Sequence, residues 1–234
     1  MIHIVILTGA GISAESGIDT FRAADGLWEN HRVEDVATPE GFAKNPGLVQ
    51  RFYNHRRAAL KSVVPNPAHI ALATLQKGLV DKDGSLTLVT QNVDDLHERG
   101  GVLNTIHMHG RLTSVFCTEC HHKWNHYDDV STAHICTACR SSGTTRPDIV
   151  WFGEIPYHMD PIENAFSGCD LFVSIGTSGA VYPAAGFVQL AKARGIKTLE
   201  LNLEPSQGSH LFDETRLGPA SALVPQWVDE ILGS

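Results

Sequence analysis

Four of the five cysteines stand in two closely spaced pairs. Cys117 and Cys120 form one pair, Cys136 and Cys139 form the second, and the whole pattern is C-x2-C-x15-C-x2-C. Free or disulfide-bonded thiols are the alternative, but this spacing is typical of four thiolates that close a tetrahedron around Zn²⁺. Because four protein ligands leave no position open for water or substrate, the pattern predicts one structural zinc ion.

Other side chains near these pairs are also potential metal ligands. His121, His122, His126 and His134 lie close to the cysteines in the sequence. With four thiolates already present, we interpret these histidines as surface residues or as supports of the ligands. The fifth cysteine, Cys169, precedes a predicted buried strand and is interpreted as a small core residue.

A glycine-rich turn follows the first apolar segment. Ile4–Leu7 leads into Gly9-Ala10-Gly11-Ile12-Ser13-Ala14, a G-x-G-x-x-A pattern. Glycines at such a turn let the backbone approach a pyrophosphate, and the following helix offers its amide groups to the anion. A turn without a ligand is the alternative, but the position directly after the first strand favours a dinucleotide site.

The residues after this turn depart from the pattern of an ordinary dehydrogenase. Such an enzyme would have a second strand that ends, about 20 residues on, in an acidic residue for the adenosine ribose. Here Ser16-Gly17 interrupt the helix, and a loop that begins at Asp19 follows. This departure counts against hydride transfer.

Polar residues also follow the predicted strand Leu86–Thr90. Gln91, Asn92 and Asp94 come directly after it, at the carboxyl end of a parallel strand, where α/β sheets bind ligands. Capping of the next helix is another role open to Asn92 and Asp94, and it is compatible with ligand contact.

Short apolar segments rich in β-branched residues alternate with segments typical of helices. This alternation predicts an α/β fold in which a Rossmann-like parallel sheet carries helices on both faces, plus a small second lobe. The predicted strands are Ile4–Leu7, Leu86–Thr90, Leu171–Ile175 and Thr198–Leu201. The predicted helices are Pro39–Ser62, Pro67–Val80, Pro161–Ser167, Pro183–Arg194 and Pro225–Leu232.

Two segments interrupt the alternation. Asp19–Val36 has little apolar periodicity and is predicted to be a long, functional loop. Phe116–Arg146 contains the paired cysteines and few large aliphatic residues. We therefore expect it to form a small module of its own around the metal ion, inserted between strands of the sheet.

Composition excludes several classes of protein. A chain of 234 residues with 42% hydrophobic and 19% charged residues is typical of one folded domain and not of a disordered chain. The net charge of −8 opposes binding to nucleic acid. The first apolar run is too short to span a bilayer and lacks a basic leader region, so we expect no membrane contact and a cytoplasmic protein.

Seven short motifs occur along the chain in a recognisable order: Gly9-Ala-Gly-Ile-Ser13, Thr20-Phe-Arg22, Gln91-Asn-Val-Asp94, His107-Met-His-Gly110, Phe152-Gly-Glu154, Gly176-Thr-Ser178 and Leu201-Asn-Leu-Glu204. In type and order they resemble the sirtuins, the class III family of NAD⁺-dependent protein-lysine deacylases. The resemblance runs from about Ile4 to the C-terminal helix. It implies a single catalytic domain with a large lobe from about residues 1–18, 66–112 and 147–234, and a small lobe from 19–65 and 113–146.

The resemblance implies an NAD⁺ site at the carboxyl edge of the sheet. Gln91 would orient the nicotinamide ribose, and Asn92 with Asp94 would hold the nicotinamide end of the cofactor. The other cofactor contacts that it implies are Gly9, Ala10, Gly11 and Ala14 at the pyrophosphate turn, Phe21 and Arg22 on the covering loop, Gly176, Thr177 and Ser178 at a phosphate or ribose, and Asn202, Leu203, Glu204 and Ala220 at the adenosine end.

His109 matches the position of the family's general base, with Asn92 and Asp94 as the other expected catalytic residues. An imidazole suits that role because it exchanges a proton near neutral pH. His107 stands two positions earlier, where the family does not place the base. In the implied reaction the acyl-lysine carbonyl oxygen attacks C1′ of the ribose, nicotinamide leaves, and His109 takes a proton from the ribose hydroxyls. The products would be free lysine, nicotinamide and O-acyl-ADP-ribose.

The segment Val150–Glu154 is predicted to be extended. The resemblance implies that its residues Val150, Phe152 and Gly153 pair with the backbone of a substrate peptide, which would be strand addition with little sequence selectivity. An ordinary edge strand is the alternative, and the sequence leaves both open.

Tyr53 and Arg56 are three positions apart in a predicted helix, so their side chains share one face. A phenol and a guanidinium can together bind a carboxylate, whereas a surface arginine beside a half-buried tyrosine is the alternative. Tyr-x-x-Arg at this place is similar to sirtuins that remove succinyl, malonyl or glutaryl groups, and Ala24 matches the small residue that widens those pockets. The resemblance thus implies desuccinylase and demalonylase activity together with deacetylase activity.

Two other functions compete with this interpretation. An NAD⁺-dependent protein ADP-ribosyltransferase would use the same ribose chemistry with another nucleophile. A zinc-ribbon binding module would need a basic, aromatic-rich face, and among its histidines and acids Cys117–Cys139 offers only Lys123, Trp124 and Tyr127. We expect a monomer whose partners are acylated lysine side chains of other proteins.

Overall fold

The computed structural model describes residues 2–19, 27–28 and 31–233. The strands are β1 (His3–Thr8), β2 (Leu27–Trp28), β3 (His31–Arg32), β4 (Ser85–Thr90), β5 (Ile106–His107), β6 (Gly110–Cys117), β7 (Lys123–Asn125), β8 (Thr145–Ile149), β9 (Leu171–Ile175), β10 (Lys197–Asn202) and β11 (Glu214–Leu217). The helices are α1 (Gly11–Ala14), α2 (Val33–Val36), α3 (Pro39–Lys44), α4 (Pro46–Leu60), α5 (Pro67–Val80), α6 (Leu96–Arg99), α7 (Met159–Ala165), α8 (Phe187–Ala193) and α9 (Ala220–Leu232).

A parallel sheet of six strands forms the centre of the described chain. Its order is β11-β10-β9-β1-β4-β5. From β1 the chain crosses to β4 and β5 on one side and later returns to β9 on the other. The strand β1 therefore lies at the topological switch point, where open α/β sheets bind ligands. The four predicted strands are confirmed, each within one residue at its ends.

Apolar side chains of β1 alternate between the two faces of this sheet. Ile4 and Ile6 belong to one buried cluster, which includes residues of α5 and α9. Val5 and Leu7 belong to a second cluster, which includes residues of α7 and α8. Because successive side chains of a strand point to opposite faces, β1 has to be covered on both sides. The predicted helices on both faces are thereby confirmed.

Four of the five predicted helices differ from the observed ones, and three of them precede the C-terminal helix. Pro39–Ser62 is divided into α3 and α4 at Asn45, whose backbone leaves the helical region and whose Oδ1 accepts a hydrogen bond of 3.0 Å from Leu48 N. Pro46 then occupies the first turn of α4, where the missing N–H costs nothing. Pro183–Arg194 begins as a 3₁₀ turn and becomes α-helical only at Phe187, and Pro161–Ser167 is shifted, starting at Met159.

The C-terminal helix α9 begins five residues before the predicted start at Pro225. Proline is common in the first turn, but here it stands inside the helix, where it removes one backbone hydrogen bond. Tertiary contacts outweigh that loss. Trp227 and Val228 are buried against the sheet, and the Glu15 carboxylate accepts hydrogen bonds from Ser221 N at 2.9 Å and Ser221 Oγ at 2.6 Å.

The small lobe combines an antiparallel sheet of order β7-β6-β8 with α2, α3 and α4. One face of α4 binds the sheet and its loops through polar side chains spaced four and three residues apart. Gln50 Nε2 donates to Thr145 O at 2.7 Å, Asn54 Nδ2 donates to Val130 O at 3.0 Å, and Arg57 Nε donates to Leu112 O at 2.8 Å. The helix with the predicted acyl-binding residues is therefore fixed to the cysteine module.

The prediction that Asp19–Val36 is a loop throughout is wrong for its described part. The strands β2 and β3 form a short antiparallel pair, and α2 follows directly. Three predicted site residues, Phe21, Arg22 and Ala24, lie outside the described residues. No described helix is long and apolar enough to cross a membrane.

Candidate active site and metal centre

The loops after β1 and β9 meet at the carboxyl edge of the sheet. A Cβ atom added to Gly9 would lie 2.7 Å from Gly176 O, and one added to Gly176 would lie 2.4 Å from Ile12 N. Gly176 also has a φ of +62°, which side-chain-bearing residues rarely adopt. The glycines are thus required by contact between two turns of the protein, a reason that the G-x-G-x-x-A pattern does not reveal. Gly11 is required by contact with the same turn at Gly176. Ala10 and Ala14, the other predicted residues of this turn, are not fully buried.

Asn92 and Asp94 bind the turn after β1 through their side chains. Asn92 Nδ2 donates to Gly9 O at 3.1 Å and to Ser13 Oγ at 3.2 Å. Asp94 Oδ2 accepts from Ser13 Oγ at 3.1 Å, and its Oδ1 accepts from Leu96 N at 3.1 Å. Only Asp94 contacts the start of α6, so the alternative role of helix capping applies to Asp94 and not to Asn92. Burial raises the pKa of Asp94 above its usual range.

Sequence reasoning missed two members of this cluster, Ser13 and His69. Asn66 N donates to His69 Nδ1 at 3.3 Å, which leaves the proton of the neutral ring on Nε2. His69 Nε2 lies 3.4 Å from Ser13 Oγ, so the ring donates to the hydroxyl, and the hydroxyl donates to Asp94. Burial lowers the pKa of His69 to about 4, which keeps the ring neutral. The only sequence signal was the position of Ser13 inside the glycine-rich motif.

His109 lies at the same edge, in the turn between β5 and β6. Its Nδ1 is 3.2 Å from Gln91 O, and a carbonyl oxygen can only accept, so Nδ1 carries the proton. The lone pair on Nε2 is then available to take a proton, as a general base requires. Burial lowers the pKa of His109 from its ordinary value, which favours the neutral ring. The next position, 110, requires glycine because a Cβ atom there would lie 2.0 Å from Asp148 O.

His107 has a different environment. Its Nε2 lies 2.7 Å from Glu98 Oε1 and its Nδ1 lies 3.3 Å from Asn92 O, so both ring nitrogens have protein partners. The ring is 3% exposed. This arrangement holds the Asn92 backbone in place and does not leave an imidazole nitrogen for a substrate, in keeping with the predicted order of roles.

The predicted adenosine-side residues follow β9, β10 and β11. Asn202 Nδ2 donates to Thr177 O at 2.7 Å, which joins the loops after β9 and β10. The side chains of Ser178, Leu203 and Glu204 are exposed, and Ala220 begins α9. Hydroxyl, amide and carboxylate groups beside a glycine-lined edge fit the hydroxyls and phosphates of a dinucleotide. The donor set at this edge therefore fits NAD⁺.

The prediction that Val150–Glu154 is extended is wrong in its second half. The strand β8 ends at Ile149, Val150 N donates to His109 O at 2.9 Å, and Phe152–Glu154 form a turn. Glu154 N donates to Trp151 O at 3.0 Å, and Gly153 has a φ of +90°. Phe152 remains exposed, by 46%. The segment thus connects the two lobes and offers only a short length of backbone to a peptide.

A cavity of about 550 Å³ opens beside α4, and only one of the two predicted acyl-binding residues lines it. Arg56 is among its described lining residues and is 6% exposed, with its guanidinium 4.2 Å from the centroid of the Trp28 ring. Tyr53 is fully buried and lies outside that lining set. Its hydroxyl accepts a hydrogen bond of 2.9 Å from Trp151 Nε1.

The four predicted zinc ligands come together at one end of the antiparallel sheet. Their sulfur atoms all lie within 4.8 Å of one another, and the pairs Cys117–Cys139 and Cys120–Cys136 are 3.7 Å apart. A tetrahedron with Zn–S bonds of about 2.3 Å has sulfur–sulfur edges of about 3.8 Å. The cluster therefore fits one closed, structural zinc ion. Cys169 is a core residue, as predicted, and is 8% exposed.

The nearby histidines do not join this cluster. His122 and His134 both stack against Trp124, with ring centroids 5.5 and 6.2 Å away. His126 packs edge-on against His134 at 4.9 Å. Their interpretation as supporting and surface residues of the module is consistent with these contacts.

Comparison with known proteins agrees with the resemblance to the sirtuins. A family model described as "Sir2 family" matches residues 9–183. A protein of Caulobacter vibrioides named NAD-dependent protein deacylase is 54% identical over 99% of this chain and 98% of its own. One of the same name in Salmonella typhimurium is 58% identical over 98% of this chain and 84% of its own.

Solved structures give the same result for the fold. A variant of a Sir2 homologue in complex with ADP-ribose is 37% identical and superposes with a TM-score of 0.89 over 98% of this chain and 91% of that chain. A Sir2 protein bound to an acetylated peptide is 28% identical, with a TM-score of 0.81 over 98% of this chain and 93% of that chain. With a family match over most of its length and relatives above half identity, the chain belongs to the Sir2 family.

Proposed function

We propose that this chain is an NAD⁺-dependent protein-lysine deacylase and that it removes acidic acyl groups, succinyl and malonyl, as well as acetyl. The first half rests on membership in the Sir2 family and on relatives named NAD-dependent protein deacylase. Those names do not favour the ADP-ribosyltransferase alternative. The acidic-acyl half rests on one observation, the buried Arg56 in the wall of the cavity beside α4.

The described residues of the site would have separate roles in such a reaction. NAD⁺ supplies, when bound, a ribose carbon that exchanges nicotinamide for the acyl oxygen. Asn92, Ser13 and Asp94 form a hydrogen-bonded cluster that holds the turn after β1 in one geometry. His109 keeps its Nε2 lone pair available and would receive the proton of a hydroxyl that comes within hydrogen-bonding distance of that nitrogen.

The charges around the cavity support an acidic acyl group. Its described lining includes two arginines, Arg51 and Arg56, and two histidines, His31 and His55. Asp19 is the one acidic residue among those described lining residues. A guanidinium in the wall of a cavity can bind a carboxylate through charge-assisted hydrogen bonds from its fork of N–H groups. A cavity of about 550 Å³ also has room for an acyl chain longer than acetyl.

Product analysis tests the activity directly. The protein is incubated with NAD⁺ and with peptides of one sequence that carry acetyl-, succinyl- or malonyl-lysine, and the products are identified by mass spectrometry. We expect nicotinamide, free lysine and the matching O-acyl-ADP-ribose in each case, and none without NAD⁺. ADP-ribose attached to peptide or protein, with the acyl group left in place, would contradict deacylation.

Replacing Arg56 by methionine tests the acidic-acyl half. Arg56→Met keeps much of the length of the side chain but removes a charged hydrogen-bond donor, so kcat/KM for succinyl-lysine should fall about 10²-fold or more. Turnover of acetyl-lysine should change much less. Arg51→Met is the matched control, since Arg51 lines the same cavity from an exposed position and its loss should cost only a few-fold. Equal losses on both peptides in Arg56→Met would show a structural role and end the acidic-acyl proposal.

A further inference from the structure

A buried carboxylate lies in the middle of the strand β10. Glu200 is 1% exposed, less than any other acidic residue that the structure describes. Its neighbours in the strand, Leu199 and Leu201, belong to the cluster on the α5 and α9 side, so Glu200 points to the other face of the sheet. Burial of a carboxylate costs free energy unless its oxygens accept hydrogen bonds. The partners of Glu200 therefore show which parts of the chain it joins.

The hydrogen bonds to Glu200 come from β11 and from the loop that joins β10 to β11. Glu200 Oε1 accepts from Ser206 N at 3.3 Å. Its Oε2 accepts from Ser209 Oγ and from Thr215 Oγ1, the latter at 3.4 Å. These three donors are neutral groups, and two of them belong to the loop. The carboxylate thus fixes the middle of this loop to the strand that precedes it.

The fixed part of this loop contacts the turn after β9. Gln207 N donates to Ser178 O at 3.0 Å. A Cβ atom added to Gly179 would lie 3.2 Å from both Gly208 N and Ser206 Oγ, so the two loops are in contact. Ser178 is one of the residues at which the resemblance to the sirtuins implies a phosphate or ribose. The position of its backbone therefore depends on the loop that the buried carboxylate holds.

Two of the predicted adenosine contacts lie in a short segment between two fixed points. Asn202 is fixed at one end, because its Nδ2 donates to Thr177 O at 2.7 Å. Ser206 is fixed at the other end by Glu200. The segment between them, 203–205, is exposed throughout. Exposed residues have few packing contacts of their own, so the hydrogen bonds at the two ends determine where this segment lies.

We propose that Glu200 is a positioning residue for the adenosine half of NAD⁺: its carboxylate fixes the loop between β10 and β11, which holds the predicted adenosine contacts and Ser178 in one arrangement. Because it is buried, the carboxylate acts through this loop and not by contact with the cofactor. The inference rests on the proposed NAD⁺-dependent activity and adds a residue outside the sirtuin motifs. Its loss should weaken cofactor binding and spare the later chemical steps, since His109 is held by Gln91 O after β4.

Glu200→Leu tests the proposal, because it removes both acceptor oxygens and fills a similar volume with an apolar side chain. The affinity for ADP-ribose is measured by isothermal titration calorimetry without an acyl substrate, so the result does not depend on turnover. We expect Kd to rise about 10-fold, the loss of hydrogen bonds to a charged group. KM for NAD⁺ should rise in parallel, whereas kcat and KM for the acyl-lysine peptide should stay within about 2-fold.

Two further variants separate positioning from general stability. Glu200→Gln keeps an amide oxygen that can accept from Ser206 N, so its Kd for ADP-ribose should rise about 3-fold or less. Thr198→Val is the matched control. Thr198 lies on the same strand and face, is 2% exposed, and binds the far end of the same loop, where Asp213 N donates to its Oγ1 at 2.9 Å. Thr198→Val should lower Tm and leave Kd unchanged.

Ser209→Ala covers the case in which Glu200→Leu does not fold. It removes one donor to Glu200 Oε2, and Kd for ADP-ribose should rise about 2- to 5-fold. An unchanged Kd in the folded variant would overturn the proposal, and so would an equal rise in Thr198→Val or a fall in kcat alone. If the unmodified protein neither binds ADP-ribose nor consumes NAD⁺, the proposed function is wrong as well. If it does both and the Glu200 variants bind equally well, only this inference is wrong.

Discussion

Replacing His109 by alanine should lower kcat/KM about 10²- to 10⁴-fold on every acyl-lysine peptide, the usual contribution of one general base. The expectation follows from its geometry. Nδ1 donates to Gln91 O at 3.2 Å, which leaves Nε2 as the proton acceptor at the edge of the sheet. Activity is measured with saturating NAD⁺, and folding is followed by thermal denaturation and zinc content. A folded His109→Ala protein with near-normal turnover would exclude His109 as the base.

His109→Asn is the isosteric control for this prediction. An asparagine amide can still donate to Gln91 O, so the turn before β6 keeps its hydrogen bond, but it cannot accept a proton near neutral pH. We expect it to be impaired as much as His109→Ala, with stability closer to that of the unmodified protein.

The pH dependence of the unmodified enzyme gives a second check on His109. Because burial lowers the pKa of this ring, the neutral, active form persists below the ordinary histidine value of about 6.5. kcat/KM should therefore rise with pH along an acid limb whose midpoint lies below pH 6.5. A midpoint above that value would contradict the assignment.

Loss of a zinc ligand should remove activity together with the folded small lobe. Structural zinc sites contribute about 10–16 kcal/mol of apparent binding energy, as much as the whole stability of an ordinary domain. Cys117 pairs with Thr145 across the β6–β8 ladder, and Thr145 O accepts the hydrogen bond of Gln50 from α4. An unfolded module would therefore release both α4, which carries the proposed acyl-binding residues, and the turn that follows β8.

Cys136→Ala tests this expectation, with Cys169→Ala as its matched control. Cys136 is fully buried within the four-sulfur cluster, whereas Cys169 packs in the core beside β9. Metal analysis should find about one zinc per chain in the unmodified protein and in Cys169→Ala, and close to none in Cys136→Ala. Solubility and deacylation should fall together in Cys136→Ala only. A metal-free protein that stayed folded and active would show that the structural role is wrong.

Some features of this protein are local enough to be predicted from sequence. The spacing of the four cysteines limits them to tight turns that suit one metal ion, and the structure brings all four sulfurs within 4.8 Å. The central strands carry runs of β-branched residues that need burial on both faces, and each was predicted within one residue. The sirtuin motifs belong to this group as well, because each is a short run of residues that can be matched without knowing its neighbours in space.

Other features depended on contacts between distant parts of the chain. His69 joins Ser13 and Asp94 although it lies in another helix, 56 positions from Ser13 along the chain. Gly9 is required by the turn at Gly176, and α9 extends before Pro225 because burial of Trp227 against the sheet outweighs one lost backbone hydrogen bond.

The helix α4, which carries the proposed acyl-binding residues, shows this difference most clearly. The sequence placed Tyr53 and Arg56 on one helical face, which follows from their spacing alone. Only the tertiary structure puts Arg56 in the cavity wall and Tyr53 behind it, with its hydroxyl bound to Trp151. Helical spacing determines which side chains are neighbours on one element. Which of them meets a cavity, and which partner fills its hydrogen bonds, is decided by the elements that pack against it, and these come from parts of the chain that no local pattern connects.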